Sequence, residues 1–355
     1  METDMQWMTR ALQLAAYGRG NVSPNPMVGC VIVSDGMMIG EGWHRAYGGP
    51  HAEVWAVKDA EERGNAHLLS NATAYVTLEP CSHYGKTPPC ADLLIKKRLR
   101  KVVICNTDPN PLVSGTGMKR MAEAGIEVQT GLLAEEGLEL NKRFFTAMKK
   151  QRPYVILKWA ETADGFLGHA QGPPVRISDP LSNVRVHRWR TEEDAILVGY
   201  KTALMDNPRL NVRHWSGKNP VRVVLDRHLK LPKTLNLFDG TQPLVVVNFR
   251  EQTAMTSEPE RYGNPGSIAY MKVEPRMNEI EQLLTGLHQR KIQSVFVEGG
   301  AAVINAFLDS GLWDEIRRCQ NIQKIGNGVA APRPKGTLTG SEKVQNDLWT
   351  FYSKD

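Results

Sequence analysis

The chain has 355 residues, more than one hydrophobic core usually holds, which predicts two domains. Its composition, 41% hydrophobic and 23% charged, is ordinary for a soluble globular protein. The net charge of +6 is mild at this length and comes without any Lys- or Arg-rich run. That excludes a nucleic-acid arm and suits small anionic substrates, and no apolar run approaches membrane-spanning length.

Met1 to Gly20 predicts an amphipathic helix, with Asp4 placed to cap it and Met5, Met8, Leu12 and Ala15 on one core-facing side. Glu2 and Asp4 are at odds with the basic start of a secretory signal. Ser23 to Gly29 reads as a rigid extended entry. Val28 to Val33 then predicts a strand, Asp35-Gly36 a hairpin turn and Met37 to Ile39 the partner strand. Asn25, where the strand begins, is either a turn residue or an amide that reads a heterocycle's edge with one donor and one acceptor. Gly40 to His44 is a lead-in, and His44 is a candidate substrate contact.

The stretch from His51 to Cys90 carries the chemistry. Pro50-His51-Ala52-Glu53 opens a helix expected over Ala52 to Glu62, and Thr73 to Leu78 predicts a strand. Pro80-Cys81 follows, and then Pro88-Pro89-Cys90 opens a helix over Cys90 to Lys97, where the dipole favours thiolate. One imidazole and two thiolates form a three-ligand zinc set with a fourth position open, the arrangement of catalytic sites. Glu53, two residues after His51, is placed to move protons without being a ligand. His-x-Glu followed by Pro-Cys and a second cysteine resembles the signature of zinc nucleobase deaminases. Here, however, eight residues and not two separate Cys81 from Cys90. Between the cysteines, Gly85-Lys86-Thr87 offers an ammonium and a hydroxyl on a tethered loop, a candidate phosphate contact, and His83 shares that loop.

Two strand–helix units are expected next. The first is Lys101 to Cys105 with Gly117 to Ala124, and the second is Ile126 to Gln129 with Ala134 to Met148. Together they predict a sheet with helices on both faces. A polar joint at Lys149 to Pro153 places the boundary near residue 148, giving domains 1–148 and 149–355. In the second domain strands are expected at Tyr154 to Ala160, Asp194 to Gly199, Val221 to Asp226, Leu244 to Val247 and Ser294 to Glu298. Helices are expected at Asn278 to Arg290 and Ala301 to Ser310. In Val297-Glu298-Gly299-Gly300, a strand runs into two glycines and a helix, which lets backbone amides approach a phosphate. It is not the Gly-x-Gly-x-x-Gly of a dinucleotide fingerprint. The five cysteines, Cys30, Cys81, Cys90, Cys105 and Cys319, are odd in number and scattered, which points to a reducing compartment and an expected cytoplasmic location.

These motifs, over essentially the whole chain, resemble the bifunctional deaminase–reductases of bacterial riboflavin biosynthesis. The first set is Ser23-Pro24-Asn25-Pro26-x-Val28-Gly29, Gly42-x-His44, Gly49-Pro50-His51-Ala52-Glu53, Glu79-Pro80-Cys81-Ser82-His83-x-Gly85-x-Thr87-Pro88-Pro89-Cys90 and Asp108-Pro109-Asn110-Pro111. The second includes Leu157-Lys158, Asp164-Gly165, Asp194 to Gly199, Thr202, Asp206-Asn207-Pro208-x-Leu210-x-Val212-Arg213, Val223 to Asp226 and Val297 to Gly300. The long cysteine spacing is that family's own form.

The resemblance implies an α/β chain of two domains: a cytidine-deaminase-like three-layer αβα domain, then a dihydrofolate-reductase-like α/β domain. It implies zinc-dependent removal of an amino group from a phosphoribosylated diaminopyrimidine, then NADPH-dependent reduction of ribosyl to ribityl. It also implies a homodimer or homotetramer. By resemblance, Asn25, His44, His83, Lys86 and Thr87 would meet the deaminase substrate. Pro174, Arg190, Leu210, Arg213 and Glu298 would meet the reductase substrate. Ala160, Arg176, Thr202, Asp206, Arg227, Gly299 and Gly300 would lie along the cofactor. Arg176 stands where the family often has tryptophan, and Arg227 where a small hydroxyl residue is usual. Cys319 to Gly326 lacks a common proline. The competing enzyme reading is a nucleoside or RNA deaminase with an auxiliary nucleotide-binding domain. The absence of basic runs interleaved with aromatics speaks against RNA.

Overall fold

The computed structural model describes residues 2–82, 88–110, 114–171, 175–254, 264–275 and 278–354. Contacts divide the chain into two compact units, Met1–Lys150 and Gln151–Asp355.

The first unit contains α1 (Glu2–Ala16), β1 (Gly29–Ser34), β2 (Met37–Trp43), α2 (Ala52–Glu62), β3 (Thr73–Leu78) and α3 (Cys90–Lys96). It continues with β4 (Lys101–Asn106), α4 (Thr116–Glu123), β5 (Glu127–Thr130), α5 (Ala134–Leu140) and α6 (Lys142–Lys150). The sheet order is β2-β1-β3-β4-β5. β1 is antiparallel to both neighbours, whereas β3, β4 and β5 run parallel. Strand periodicity builds the layers, because successive side chains point to opposite faces. Cys30, Ile32, Ala74, Val76, Val102 and Ile104 pack with Ala56, Ala60, Leu94 and Met121 of α2, α3 and α4. Val31, Val33, Tyr75, Val103 and Cys105 face the other way, onto Met8, Ala11 and Leu14 of α1.

Several expectations need correcting in this unit. β2 does not stop at Ile39 but runs on to Trp43. The glycines that read as a lead-in are sites of close packing: a Cβ on Gly42 would lie 2.5 Å from the Ala56 nitrogen of α2. Asp4 lies inside α1 and does not cap it; its carboxylate accepts a hydrogen bond from the Tyr75 hydroxyl. Met5 is 46% exposed, while Met8 and Ala15 are buried. The single helix expected over 134–148 is two, broken at Asn141. That residue is buried, and its side chain accepts from Met27 N–H at 2.8 Å and donates to Met27 O at 2.9 Å.

The second unit contains β6 (Tyr154–Glu161), α7 (Pro180–Glu192), β7 (Ala195–Gly199), α8 (Tyr200–Asp206), β8 (Val221–Leu225), β9 (Leu244–Asn248) and β10 (Ile268–Lys272). It ends with α9 (Glu279–Gln289), β11 (Ser294–Val297), α10 (Ala301–Ser310), β12 (Glu315–Asn321), β13 (Thr337–Val344) and β14 (Asp347–Ser353). The order is β10-β9-β8-β7-β11-β6-β12-β14-β13. Pairing is parallel from β10 to β12, and β14 is antiparallel to β12 and β13. The chain leaves β6, steps outward through β7 to β10, then returns to place β11 between β6 and β7. Ligands of open parallel sheets bind at such a switch point, beyond the carboxyl ends of the strands.

The sequence reading missed α7, α8, β10, β12, β13 and β14. α7 carries five charged or imidazole side chains among its thirteen residues from Arg185 to Arg190 and Glu192, so its apolar stripe is weak. β12 carries two arginines in a paired strand, one of them buried. Arg317 is 6% exposed, bonded to Glu315, and stacks 4.5 Å from the Trp189 ring centroid. β13 is an exposed edge strand with no apolar alternation.

Candidate active sites

In the first unit, His51 stands immediately before α2, Cys90 opens α3, and Cys81 lies three residues after β3. His51 Nδ1 is 3.5 Å from Cys81 Sγ and 3.4 Å from Cys90 Sγ, and the three ligand atoms all lie within 4.8 Å of one another. Tetrahedral zinc with Zn–N and Zn–S bonds of about 2.0 and 2.3 Å holds nitrogen and sulfur roughly 3.5 Å apart, so the donor set fits the ion. The Cys90 amide donates to Cys81 Sγ at 3.3 Å, which favours charge on that sulfur. Glu53, in the first turn of α2, is 3% exposed, and its Oε2 is buried without a hydrogen-bond partner among the described residues. Burial first, then the Cys81 charge, pushes its carboxyl up to about 7.

Asn25 and His44 flank this centre. The His44 ring lies 5.4 Å from that of His51, edge to face. His44 Nδ1 is 3.0 Å from Pro50 O, and its Nε2 is 3.1 Å from Asn25 Nδ2. A carbonyl only accepts, so Nδ1 carries the proton and Nε2 accepts from Asn25. Burial holds this imidazole below its ordinary range. The sequence reading missed Glu79. It is 4% exposed, and its carboxylate accepts from the amides of Asp108, Gly115 and Gly117, tying the segment after β4 to the residue before Pro80-Cys81.

In the second unit, Glu298 immediately follows β11 at the switch point. Its carboxylate is bridged by Arg190 of α7 at 2.8 and 2.9 Å. Burial raises the carboxyl, but Arg190 and Lys158 outweigh it and hold it at about 2. Arg190 Nη1 also donates to Asn211 O, so its fork is committed to the protein. Arg213 is exposed, within the field of Arg190 and Arg209. Leu210, with φ of +50°, turns its side chain into the core beside Ile196 and Val224, so it does not line a pocket through that side chain.

At the neighbouring strand end, Gly300 caps α10, and its N–H donates to Thr202 Oγ1 of α8 at 2.9 Å. A Cβ on Gly300 would lie 3.0 Å from that oxygen, and one on Gly299 would lie 3.1 Å from Val303 Cβ. Two helix starts therefore meet in a cradle that a Cβ at either glycine would crowd, and such helix N-termini suit a cofactor pyrophosphate. Ala160 is half-buried near the end of β6, and Asp206 is exposed at the end of α8. Arg227 pairs with Glu279 of α9 at 2.8 Å. Arg176 is exposed, and its carbonyl accepts from Gln323. His83, Lys86, Thr87 and Pro174 lie outside the described residues.

Residues 153–348 match the family model of the RibD C-terminal domain, and residues 1–106 match that of the cytidine and deoxycytidylate deaminase zinc-binding region. The chain is 40% identical to the riboflavin biosynthesis protein RibD of Actinobacillus pleuropneumoniae over 94% of its own length and 87% of the relative's. It belongs to the RibD family. The Escherichia coli RibD is 37% identical, over 96% of this chain and 93% of that one. A crystal structure from Thermotoga maritima, described as a diaminohydroxyphosphoribosylaminopyrimidine deaminase/5-amino-6-(5-phosphoribosylamino)uracil reductase, superposes with a TM-score of 0.88 at 37% identity. It covers 100% of this chain and 99% of that one. One form of the Acinetobacter baumannii RibD gives 0.87 at 35% identity, with the same coverage.

As a RibD, the chain is a bifunctional enzyme of riboflavin biosynthesis, a hydrolytic deaminase and an oxidoreductase that act on a small pyrimidine with zinc and NADPH. The RibD fold is two α/β domains, a deaminase domain followed by a reductase domain. Among the described residues, no helix is long and apolar enough to cross a membrane.

Proposed function

We propose that residues 1–148 deaminate 2,5-diamino-6-(5-phosphoribosylamino)pyrimidin-4-one and that residues 149–355 reduce the product's ribosyl group to ribityl. The observation that carries the first step is the His51–Cys81–Cys90 cluster beside a buried Glu53 oxygen without a partner. Zinc, held by those three residues, supplies the Lewis acidity that makes water a nucleophile near neutral pH. Glu53 takes the proton that water gives up as it adds to the amino-bearing carbon. It then returns a proton to the departing nitrogen, so the C–N bond breaks and ammonia leaves. Asn25, whose Nδ2 is held by His44, presents its Oδ1 to the pyrimidine edge. Lys86 and Thr87 on the loop between the cysteines take the phosphate, and His83 lines that loop.

In the second unit, opening of the ribose ring moves the N–H proton to the ring oxygen and leaves a C=N bond. NADPH supplies the hydride to the carbon of that bond, and solvent supplies a proton to the nitrogen. Protein groups chiefly position the reactants. Arg213 meets the sugar phosphate and Glu298 the sugar hydroxyls, while Arg190 orients Glu298. The Gly299–Gly300 cradle with Thr202 takes the cofactor's pyrophosphate, with Ala160, Arg176, Asp206 and Arg227 along its length. The enzyme works in the cytoplasm as a homodimer or homotetramer, without nucleic acid or membrane. Mass spectrometry of the purified protein with the diaminopyrimidine phosphoriboside, with and without NADPH, tests both steps. The mass change of deamination is expected without NADPH, and a further gain of two hydrogens with it. An unchanged substrate would sink the proposal.

A further inference from the structure

The backbone from Arg209 to Arg213 is gripped residue by residue by side chains from elsewhere in the second unit. Arg222 Nε donates to Arg209 O at 3.0 Å, and Gln242 Nε2 donates to Leu210 O at 3.2 Å. Arg190 Nη1 donates to Asn211 O at 3.0 Å, and Asn219 Oδ1 accepts from Val212 N–H at 2.7 Å. His187 Nδ1 accepts from Arg213 N–H at 3.1 Å. This segment is not a regular strand or helix, so these bonds replace the ladder it lacks. The Arg213 side chain is steadied in turn by Asn211 Oδ1 at 3.1 Å.

His187 and Arg190 sit one turn apart on α7, so a single helix face holds Arg213, Asn211 and Glu298 together. We infer that His187 is a positioning residue of the reductase. Its Nδ1 lone pair fixes the backbone of Arg213 so that the guanidinium is aimed at the substrate's phosphate. The inference rests on the reading of Arg213 given above, but it concerns a residue that reading does not use.

The chemistry requires a neutral ring, because imidazolium has no acceptor nitrogen. The surroundings supply that condition. His187 is 2% exposed, and burial, then Arg190, Arg213 and His214, lower its imidazole to about 4 against the opposing pull of Glu298. The His214 ring packs against it edge to face, with centroids 4.7 Å apart. The ring is thus the Nε2–H tautomer with its bare nitrogen toward the chain.

Two variants separate the lone pair from the bulk of the ring. His187→Phe keeps an aromatic ring against His214 but removes the acceptor. His187→Asn keeps an acceptor oxygen near the position of Nδ1. NADPH oxidation with the deaminated phosphoriboside should show KM raised on the order of tenfold in His187→Phe with turnover changed less, and largely restored in His187→Asn. With the unphosphorylated nucleoside the wild type and His187→Phe should differ little. An unchanged KM in His187→Phe, while Arg213→Ala raises it, overturns the role of His187 alone. An unchanged KM in Arg213→Ala as well would instead overturn the reading of Arg213. Nitrogen NMR of the histidine-labelled wild-type protein is independent of any variant's folding. It should find His187 neutral and protonated at Nε2 near neutral pH, and an Nδ1–H ring would overturn the proposal.

Discussion

His51 Nδ1 lies 3.4 Å from Cys90 Sγ although the two residues sit at the starts of different helices, 39 positions apart. The distance matches the separation of about 3.5 Å that one tetrahedral zinc ion imposes on a nitrogen and a sulfur ligand. Replacing Cys90 by serine should therefore abolish stoichiometric zinc in the purified protein, measured by metal analysis. Serine at Cys30 or Cys105, buried on β1 and β4, should leave zinc content intact.

Glu53→Gln keeps size and polarity but cannot carry a proton. Ammonia release should fall on the order of a hundredfold or more, while zinc content stays at the wild-type level. A variant that released ammonia at a near wild-type rate would remove Glu53 from the reaction.

Arg213→Ala should raise KM for the phosphorylated reductase substrate more than it lowers turnover. Ammonia release by the first unit should be unaffected, because the two sites belong to separate compact units. Two assays on one protein, NADPH oxidation and ammonia release, decide it.

Glu298 offers a pH-dependent prediction. Its carboxyl is held at about 2 in the folded chain, below its ordinary value of 4.5, so the unfolded chain binds the proton more tightly. The pair with Arg190 therefore stabilises the second unit fully above pH 4.5, and that contribution is lost as pH falls toward 2. Both partners are largely buried, at 10% and 12% side-chain exposure. Glu298→Gln, which leaves the Arg190 charge without its counter-ion, should cost roughly 3–5 kcal/mol at neutral pH. Denaturant melts of both proteins at neutral and acid pH should converge at the acid end.

What could be read from the sequence follows from how local its causes are. α2 and β3 match their expected limits at both ends, because His-Ala-Glu and the alternating run Thr73 to Leu78 carry their own boundaries. The zinc cluster was legible because ligand chemistry restricts residue type. Arg317, Asn141 and Leu210 were not, since what decides each is its setting in the fold and not a local pattern of residues. Arg317 is tolerated in β12 by Glu315 and Trp189. Leu210 turns inward at a positive φ that nothing in its neighbours announces. The resemblance places Arg190 at the reductase substrate, and the sequence does not announce that Glu298 holds its fork.

The bond between Asn141 and Met27 also sets an order of events during synthesis. All three zinc ligands and Glu53 have left the ribosome once Cys90 has. Met27, two residues beyond Asn25, gains its side-chain clamp only when Asn141 arrives, 114 residues later. A nascent chain that stops at Asn106, where the deaminase family match ends, carries the complete metal ligand set and the Asn25–His44 bond but not the clamp on Met27. The metal ligands are therefore complete in the chain well before the last tie on the segment beside Asn25 can form.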